Sequence, residues 1–531
     1  VITISGFVIV AAELGIGTHR LAAVPMTVAG FAAATLAAFR SRRAPREVAR
    51  RRGILRAVAR WSAAVVAVTV VAMDAGFITV FDPLSNDPVR ELLDETHSPD
   101  FSQLPWTDAF EKLHAHLARA YAMGEWKRID WASLHDRTAA KIAAAARGND
   151  RASFYLALRE YLWSLPDGHV GLSGDDGGLR NRAIKGGFGF ALLRLDDGRT
   201  IAHVVTEDGA AAKAGLRWGA TVLSWNGVSI DDAATKTSVL WNGDPPATTE
   251  GLALARLKWL ARAPVGTTVR LEYRNLDASI PLTVTLTAED DQFAPIRAVV
   301  QSQNFSFRSD VVEWRVLPER VGYLKIRAEL PSLSQPLPER VVRRAVRAFL
   351  KAEVRGVVID ARANFGGADK LVPLMMGWFV RERQFYEHAA LYDDRTGHFE
   401  REPSGTLWTE PKEPGFYGPI AVLVDPQCAS SGEGLALIAR RRPGGHVVGF
   451  YGTNGSFGMS GATIRMPSGL TVEYPNGRSL DARGDIQLDS DWRLEGGVTP
   501  DVRVPLTLET ARAQFLERRD VVLQTAIGLL K

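Results

Sequence analysis

The sequence predicts an α/β core with a mainly parallel sheet, preceded by a helical cap and a small β-rich domain, with transmembrane helices at its N-terminal end. Three observations carry that class. Beyond residue 290, strand-length apolar runs alternate with amphipathic helical runs, the signature of a parallel sheet with covering helices. Between 185 and 290, short strands are bounded by glycine turns, and before residue 82 two long apolar runs flank an arginine block. The resulting units are 1–81 (membrane anchor with a basic loop), 82–184 (cap), 185–290 (β-rich domain) and 291–531 (core). At 531 residues the chain exceeds what one hydrophobic core organises.

The N-terminal unit is read from its apolar runs and its charge. AVPMTVAGFAAATLAAF at 23–39 and WSAAVVAVTVVAMDAGFITVF at 61–81 each approach the length of a spanning helix, although the second contains Asp74. A third run at 1–12 opens the chain abruptly, as though its start were missing or misassigned. Between Arg40 and Arg60 stand nine arginines and one acid, Glu47. The positive-inside rule assigns that loop to the cytoplasm, so everything from about residue 82 is expected outside it. A cleaved signal peptide and a polybasic segment lying on anionic lipid are the competing readings. Outside the arginine block acids outnumber bases, so a nucleic-acid partner is not expected despite the formal charge of +4.

In the cap, Phe110, Leu113, Leu117 and Tyr121 recur at helical spacing, and a second helix, RASFYLALREYLWSL, stops at Pro166-Asp167-Gly168. The turn LPDGHV then places His169 on a polar, glycine-led loop, an unusual position for an imidazole that merely fills space. The β-rich domain opens with KGGFGF, runs through AAAKAGLRWGATVLSWNG and a helix GLALARLKWLARA, and closes with strands TTVRLEYRN and PLTVTLTA. These features resemble a PDZ domain. The resemblance implies that Gly187, Phe188, Gly189 and Phe190 form a loop whose amides accept a chain-terminal carboxylate while the peptide adds as a strand. A small β domain without a ligand is the plain alternative.

In the core, RVGYLKIRA, RGVVIDARA, PIAVLVD and HVVGFYG read as strands, with LPERVVRRAVRAFLKA, ADKLVPLMMGWFV and SGEGLALIARRR as helices. Ligands of such sheets bind at strand C-terminal ends, which selects two loops. In DARANFGGADK, Gly366 and Gly367 let the backbone turn its amides into a crevice, as an oxyanion contact requires, or simply make a turn. In DPQCASSGEG, Ser430 or Ser431 stands at a strand-to-helix junction, as an exposed nucleophile or as an N-cap. Cys428, the chain's single cysteine, rules out an internal disulfide and reads as a buried filler. No group of His, Asp and Glu has ligand spacing, so no metal and no cofactor is expected.

The ordered set LPDGHV (165–170), the PDZ-like insert, GYLKI (322–326), DARANFGG (360–367), CASSGEG (428–434), VVGFYGTNG (447–455) and GGVTPDVRV (496–504) resembles the tail-specific, or C-terminal-processing, serine proteases over some 400 residues. The resemblance implies a ClpP/crotonase-like core, hydrolysis of a polypeptide through an acyl-enzyme, and Ser430 as nucleophile, three positions before Glu433, with Ser431 joining Gly366 and Gly367 as oxyanion donors. Members using a Ser-Lys pair carry a lysine about twenty-five residues after the serine. Here Gly455 stands there, in GTNGSFG, with no lysine nearby. The pattern therefore matches the tricorn-like branch, which implies His169 as base and Glu495 as the acid that orients it, with Asp501 and Glu433 as rivals. Gly168 replaces the serine that this branch carries before its histidine, which keeps open a peptide-binding or scaffold protein without turnover. Assembly of several chains into a homo-oligomer is compatible with the resemblance.

Overall fold

Apolar residues at three- and four-residue spacing fold the segment after Pro105 into α1 (Trp106–Ala120), burying Phe110, Leu113 and Leu117. Helices α2 (Trp131–Gly148) and α3 (Arg151–Leu162) pack beside it. Both start at an aspartate whose carboxylate accepts first-turn amides, Asp130 from Ser133 and Asp150 from Ala152 and Ser153. The structure, a computed structural model, describes residues 98–299, 309–332 and 334–530. The predicted spans 23–39 and 61–81 and the arginine block lie outside the described residues. Among the described residues no helix is long and apolar enough to cross a membrane.

The cap is not a separate core. Its buried side chains share one cluster with Ile464, Met466, Leu470 and Val472, from a hairpin that the catalytic core contributes. The short strand Gly171–Ser173, just past His169, pairs antiparallel with that hairpin, Gly171 opposite Glu473. His169 is thus fixed to the core on both sides of its loop.

The β-rich domain is an antiparallel sheet in sequential order: β1 (Phe190–Arg194), β2 (Thr200–Val205), β3 (Thr221–Trp225), β4 (Thr268–Arg274) and β5 (Leu282–Thr287). Period-two alternation in β4 buries Val269, Leu271 and Tyr273 on one face. Helix α4 (Thr249–Leu260) lies against β1. Its N-terminal turn is fastened to the core, where Thr249 N–H donates to the Leu494 carbonyl at 3.0 Å and Glu250 accepts Gly452 N–H at 2.8 Å.

The core sheet has the order β6 (Val312–Leu317), β7 (Val321–Ile326), β8 (Gly356–Asp360), β9 (Ile420–Leu423), β10 (Gly445–Gly449) and β11 (Val502–Arg503). The β6–β7 pairing is antiparallel and the other four are parallel. Helices α5 (Pro338–Lys351), α6 (Leu371–Met376), α7 (Ser431–Arg441) and α8 (Val521–Leu529) accompany it. Lys325, Asp360 and Leu423 are in register, so the loops after β7, β8 and β9 leave the sheet side by side. The polar stretch holding His388 and His398, which gave no strand signal, forms a long antiparallel hairpin, Gln384–Asp393 with His398–Thr409.

Candidate active site

Ser430 is the residue immediately before α7, with φ 54° and ψ −139°. A serine held in that sparsely populated conformation is strained. Its hydroxyl makes no capping hydrogen bond, so the N-cap alternative does not hold for Ser430. The elbow is built from neighbours: Ala429 N–H donates to the Asn364 carbonyl, and Ser430 N–H to the Ser456 carbonyl, each at 2.9 Å. Glu433, wholly buried, accepts from Thr453 Oγ1, from Gly455 N–H at 3.2 Å and from Ser456 N–H at 3.1 Å. It anchors the 453–456 loop against α7 and is not a partner of the imidazole. Burial pushes its carboxyl up to about 8.

Ser456 joins the two halves of the site. Besides accepting Ser430 N–H, it accepts Gly168 N–H on its hydroxyl at 2.8 Å. One buried residue thereby ties the nucleophile's backbone to the loop of His169. A Cβ on Gly168 would stand 2.7 Å from Asn454 Oδ1, so a larger residue there would displace that side chain.

His169 has 11% of its side chain exposed and lines a cavity of about 1390 Å³ together with Ser456, Asn454 and Ala429. Asp167 is wholly buried beside it: Oδ1 accepts His169 N–H at 2.9 Å and stands 3.6 Å from Nδ1, while Oδ2 accepts the Tyr121 hydroxyl at 2.9 Å. Nδ1 itself has no hydrogen-bond partner, so the ring is flanked by a carboxylate that it does not yet engage. Burial lowers the His169 pKa, Asp167 raises it and Lys127 lowers it further.

Glu495, expected to orient the imidazole, does not stand there. Asp491 accepts Arg493 N–H at 2.8 Å and Glu495 N–H at 3.2 Å, closing a tight turn that faces Glu495 outward. Its side chain is 65% exposed and paired with Arg493 at 2.9 Å. Asp501 is occupied elsewhere, accepting from Arg440 and from Val447 N–H. The carboxylate beside the His169 ring is Asp167; Asp244 lines the same cavity, and Asp489 interacts with Asp167 in the buried cluster behind it. Asp489 accepts Phe457 N–H on Oδ2 at 3.1 Å, leaves Oδ1 unpartnered, and is pushed up to about 8 by burial, with Lys127 opposing and Asp167 reinforcing. Asp167 was in plain view inside LPDGHV. Asp489 carries no local signal, because only folding brings it to this cluster.

Of the glycine pair, Gly366 lies against Ser430, while Gly367 lies against the Glu329 backbone. A Cβ on Gly366 would lie 2.6 Å from Ser430 Cβ and 3.0 Å from Ser431 N, so only glycine fits at its φ of 96°. The three expected donors are not equivalent, however. Gly366 N–H donates to Asn364 Oδ1 at 2.8 Å, whereas no acceptor is recorded for the Gly367 or Ser431 amides among the described residues. The loop's root is rigid: Asp360 accepts from Lys325 at 3.1 Å, Tyr323 at 2.7 Å and Arg362 at 2.7 Å. Burial alone would raise its pKa, but Arg362 and Lys325 outweigh that and hold it well below the usual carboxylate range. Cys428 is wholly buried, its thiol pushed up by that burial, which makes it a filler.

In the β-rich domain, Gly187 sits in the middle of a three-stranded ladder between Glu289 and Arg262, so its backbone already has strand partners. Phe188 and Phe190 bury their rings in the domain core. Gly189, with φ 82°, makes the turn between them. No acceptor is recorded for the Phe188 and Gly189 amides among the described residues. The cavity that His169 lines continues along Phe190–Leu193 of β1 and along Leu254, Ala255 and Lys258 of α4, and reaches Phe365 and Ala429, neighbours of the glycine turn and of Ser430. Among the described residues no His, Cys, Asp and Glu group could hold a metal.

A mainly parallel sheet with a strained serine and a glycine turn at its carboxyl edge is the arrangement that the resemblance to the tail-specific serine peptidases implies. Residues 320–504 match Peptidase family S41, and the chain carries a domain of that family. The carboxy-terminal processing protease CtpB of Bacillus subtilis (strain 168) is 26% identical over 314 residues, covering 59% of this chain and 54% of CtpB. The chain thus matches about half the length of that relative. Among solved structures, mature CPAF complexed with lactacystin has a TM-score of 0.56 at 14% identity, over 80% of this chain and 98% of that one. Mature CPAF alone gives the same TM-score and identity over 80% and 97%. At such identity the likeness is one of fold.

Proposed function

We propose that this protein is a serine endopeptidase acting outside the cytoplasm, with Ser430 as nucleophile and His169 as general base. The observation that carries this reading is Ser456, which bonds the strained Ser430 backbone and the His169 loop at once. In the reaction, Ser430 Oγ attacks the scissile carbonyl carbon as His169 takes its proton, and the carbonyl oxygen, now negative, is received by the Gly367 and Ser431 amides. Ser431 supplies its amide at the head of α7, where the helix dipole also favours negative charge. Collapse breaks the C–N bond, and the leaving amine takes the proton from His169. Water, deprotonated by His169, then releases the acyl group and returns Ser430. The negative charge of Asp167 beside Nδ1 favours a proton on that nitrogen, leaving Nε2 free to act as base.

The substrate is a polypeptide whose C-terminal part lies as an added strand along β1, its carboxylate on the amides of Phe188 and Gly189. Continuity of the β1–α4 groove with the His169 cavity supports this path. The PDZ-like role is tested on the full chain by comparing substrates ending in a free acid with amidated ones: equal KM values would remove the carboxylate contact. The extracytoplasmic location rests on the arginine block between the two apolar runs, and a reporter fused after residue 90 that is active in the cytoplasm would reverse it.

A fluorophosphonate probe tests the peptidase reading directly. It should label Ser430 in the wild-type chain and nothing at that position in Ser430→Ala. Single alanine replacements of Ser430 and His169 should each lower kcat/KM by several decades, with the double replacement costing little more than either, because the two groups act as a unit. A folded wild-type chain that takes no label would point instead to a peptide-binding protein without turnover.

A further inference from the structure

Glu329 takes no part in the reaction above, yet it is wholly buried at the centre of the two backbone segments that must receive the oxyanion. It lies three residues past the end of β7, where the backbone pairs with the glycine turn. Its N–H donates to the Gly366 carbonyl at 3.1 Å, and its carbonyl accepts Ala368 N–H at 2.8 Å. Its carboxyl reaches both sides of the site, Oε1 accepting Asn364 Nδ2 at 2.8 Å and Oε2 accepting Ser431 Oγ at 3.3 Å. Asn364 carries the frame further, since its Oδ1 accepts Gly366 N–H and its carbonyl accepts Ala429 N–H.

We propose that Glu329 is a positioning residue for the oxyanion site: its carboxyl holds the Gly366–Gly367 turn and the first turn of α7 in one frame, so that the Gly367 and Ser431 amides converge on one oxygen. The proposal rests on the peptidase reading and deepens it. Without the carboxyl, the turn and the helix start would still be joined through the Asn364 and Ala429 backbone, but the Ser431 side chain would be held by nothing recorded. The two amides would then lose their shared reference, and an oxyanion contact is sensitive to displacements well below 1 Å.

The same location gives the carboxyl an electrostatic consequence. Burial pushes Glu329 up to about 7, the neighbouring Asp369 adds to that, and the Asn364 and Ser431 hydrogen bonds oppose it. Of the other titratable groups around it, Tyr386 from the hairpin and Cys428 from the serine loop are both neutral, their pKa values raised by burial. When Glu329 loses its proton, a negative charge arises one side chain away from the developing oxyanion and opposes it. The protonated carboxyl positions without that opposition.

The test compares the full chain as wild type, Glu329→Gln and Glu329→Leu, measuring melting temperature, kcat and KM for a peptide substrate, and fluorophosphonate labelling of Ser430. Glu329→Leu keeps the volume and removes both hydrogen bonds, so kcat should fall about 100-fold with KM changed by less than about threefold. Glu329→Gln keeps both bonds without a charge, so it should match wild type at pH 6 and exceed it about threefold at pH 8.5. A Leu variant with near wild-type kcat, or a Gln variant that tracks wild type at both pH values, overturns the proposal. Should the Leu variant fail to fold, the Gln comparison decides alone. A wild-type chain that neither cleaves nor labels would sink the peptidase reading itself, an outcome distinct from active wild type with unaffected variants.

Discussion

His169 sets the expected pH dependence of the reaction at the residue scale. Only the neutral imidazole can accept the Ser430 proton, and burial has already lowered its pKa below the ordinary value of 6.5. The acid limb of kcat/KM should therefore lie below pH 6.5. Asp167 works against burial by raising that pKa, so Asp167→Asn should move the limb further down while lowering kcat by about tenfold to a hundredfold through loss of ring orientation. A limb that moves upward in this variant would contradict the assigned role. The proposal of His169 as base starts from the sequence, where a glycine-led polar turn is a poor place for a core imidazole. The family resemblance implied Glu495 as its acid partner, whereas the structure turns Glu495 to solvent and puts Asp167 Oδ1 3.6 Å from Nδ1.

At the scale of the element, α7 and the 453–456 loop act as one piece, held by Glu433. Three donors converge on this buried carboxyl, and removing it strands all of them out of water. Glu433→Ala should destabilise the fold by about 3 kcal/mol in urea titrations and lower kcat at least about tenfold, because Ser456 would no longer hold the His169 loop. Glu433→Gln should recover only part of either loss, because its amide nitrogen would face a backbone N–H donor. Full activity in the alanine variant would separate the loop from catalysis. The strand-to-helix junction and its helix were readable from apolar periodicity and the glycine-containing loop. The function of the glutamate was not, since its partners lie some twenty residues onward in a loop without regular structure.

For the whole molecule, the buried carboxyls give a signed prediction for stability. Glu329 is pushed up to about 7, and Glu433 and Asp489 to about 8, all by burial first. Each holds its proton in the folded chain where the unfolded chain has lost it, so folding stability declines as pH rises toward the folded pKa. Buried histidines act oppositely, His203 being lowered to about 4, but their contribution is complete once pH exceeds 6.5. Lys258, lowered to about 8, adds stability only above that value. Between pH 6.5 and 8 the carboxyls act together with His135, whose pKa is raised by Asp136 and Glu111 and whose stabilisation is likewise lost as pH rises, and the melting temperature should fall by about 5 °C across that window. A flat or rising curve would mean that these acids are ionised in the fold at neutral pH.

The sequence by itself determined many of the elements and their kinds, though not the hairpin that holds His388 and His398. Helical spacing marked α1, α3 and α5, strand-length apolar runs marked β7 to β10, and glycines marked the turns that a Cβ would forbid, Gly366 above all. These are local properties, fixed by backbone sterics and by the period with which side chains face a core. The tertiary structure decided which side chains meet. It put Ser456 between Ser430 and Gly168, Asp489 into the cluster around Asp167, Glu329 against Ser431, and the β1–α4 groove in line with His169. Each of these meetings joins loops or elements far apart in the chain, and loop sequence carries no period from which a partner could be read. Only the in-step ending of parallel strands, itself a property of the assembled sheet, brings those loops to one edge.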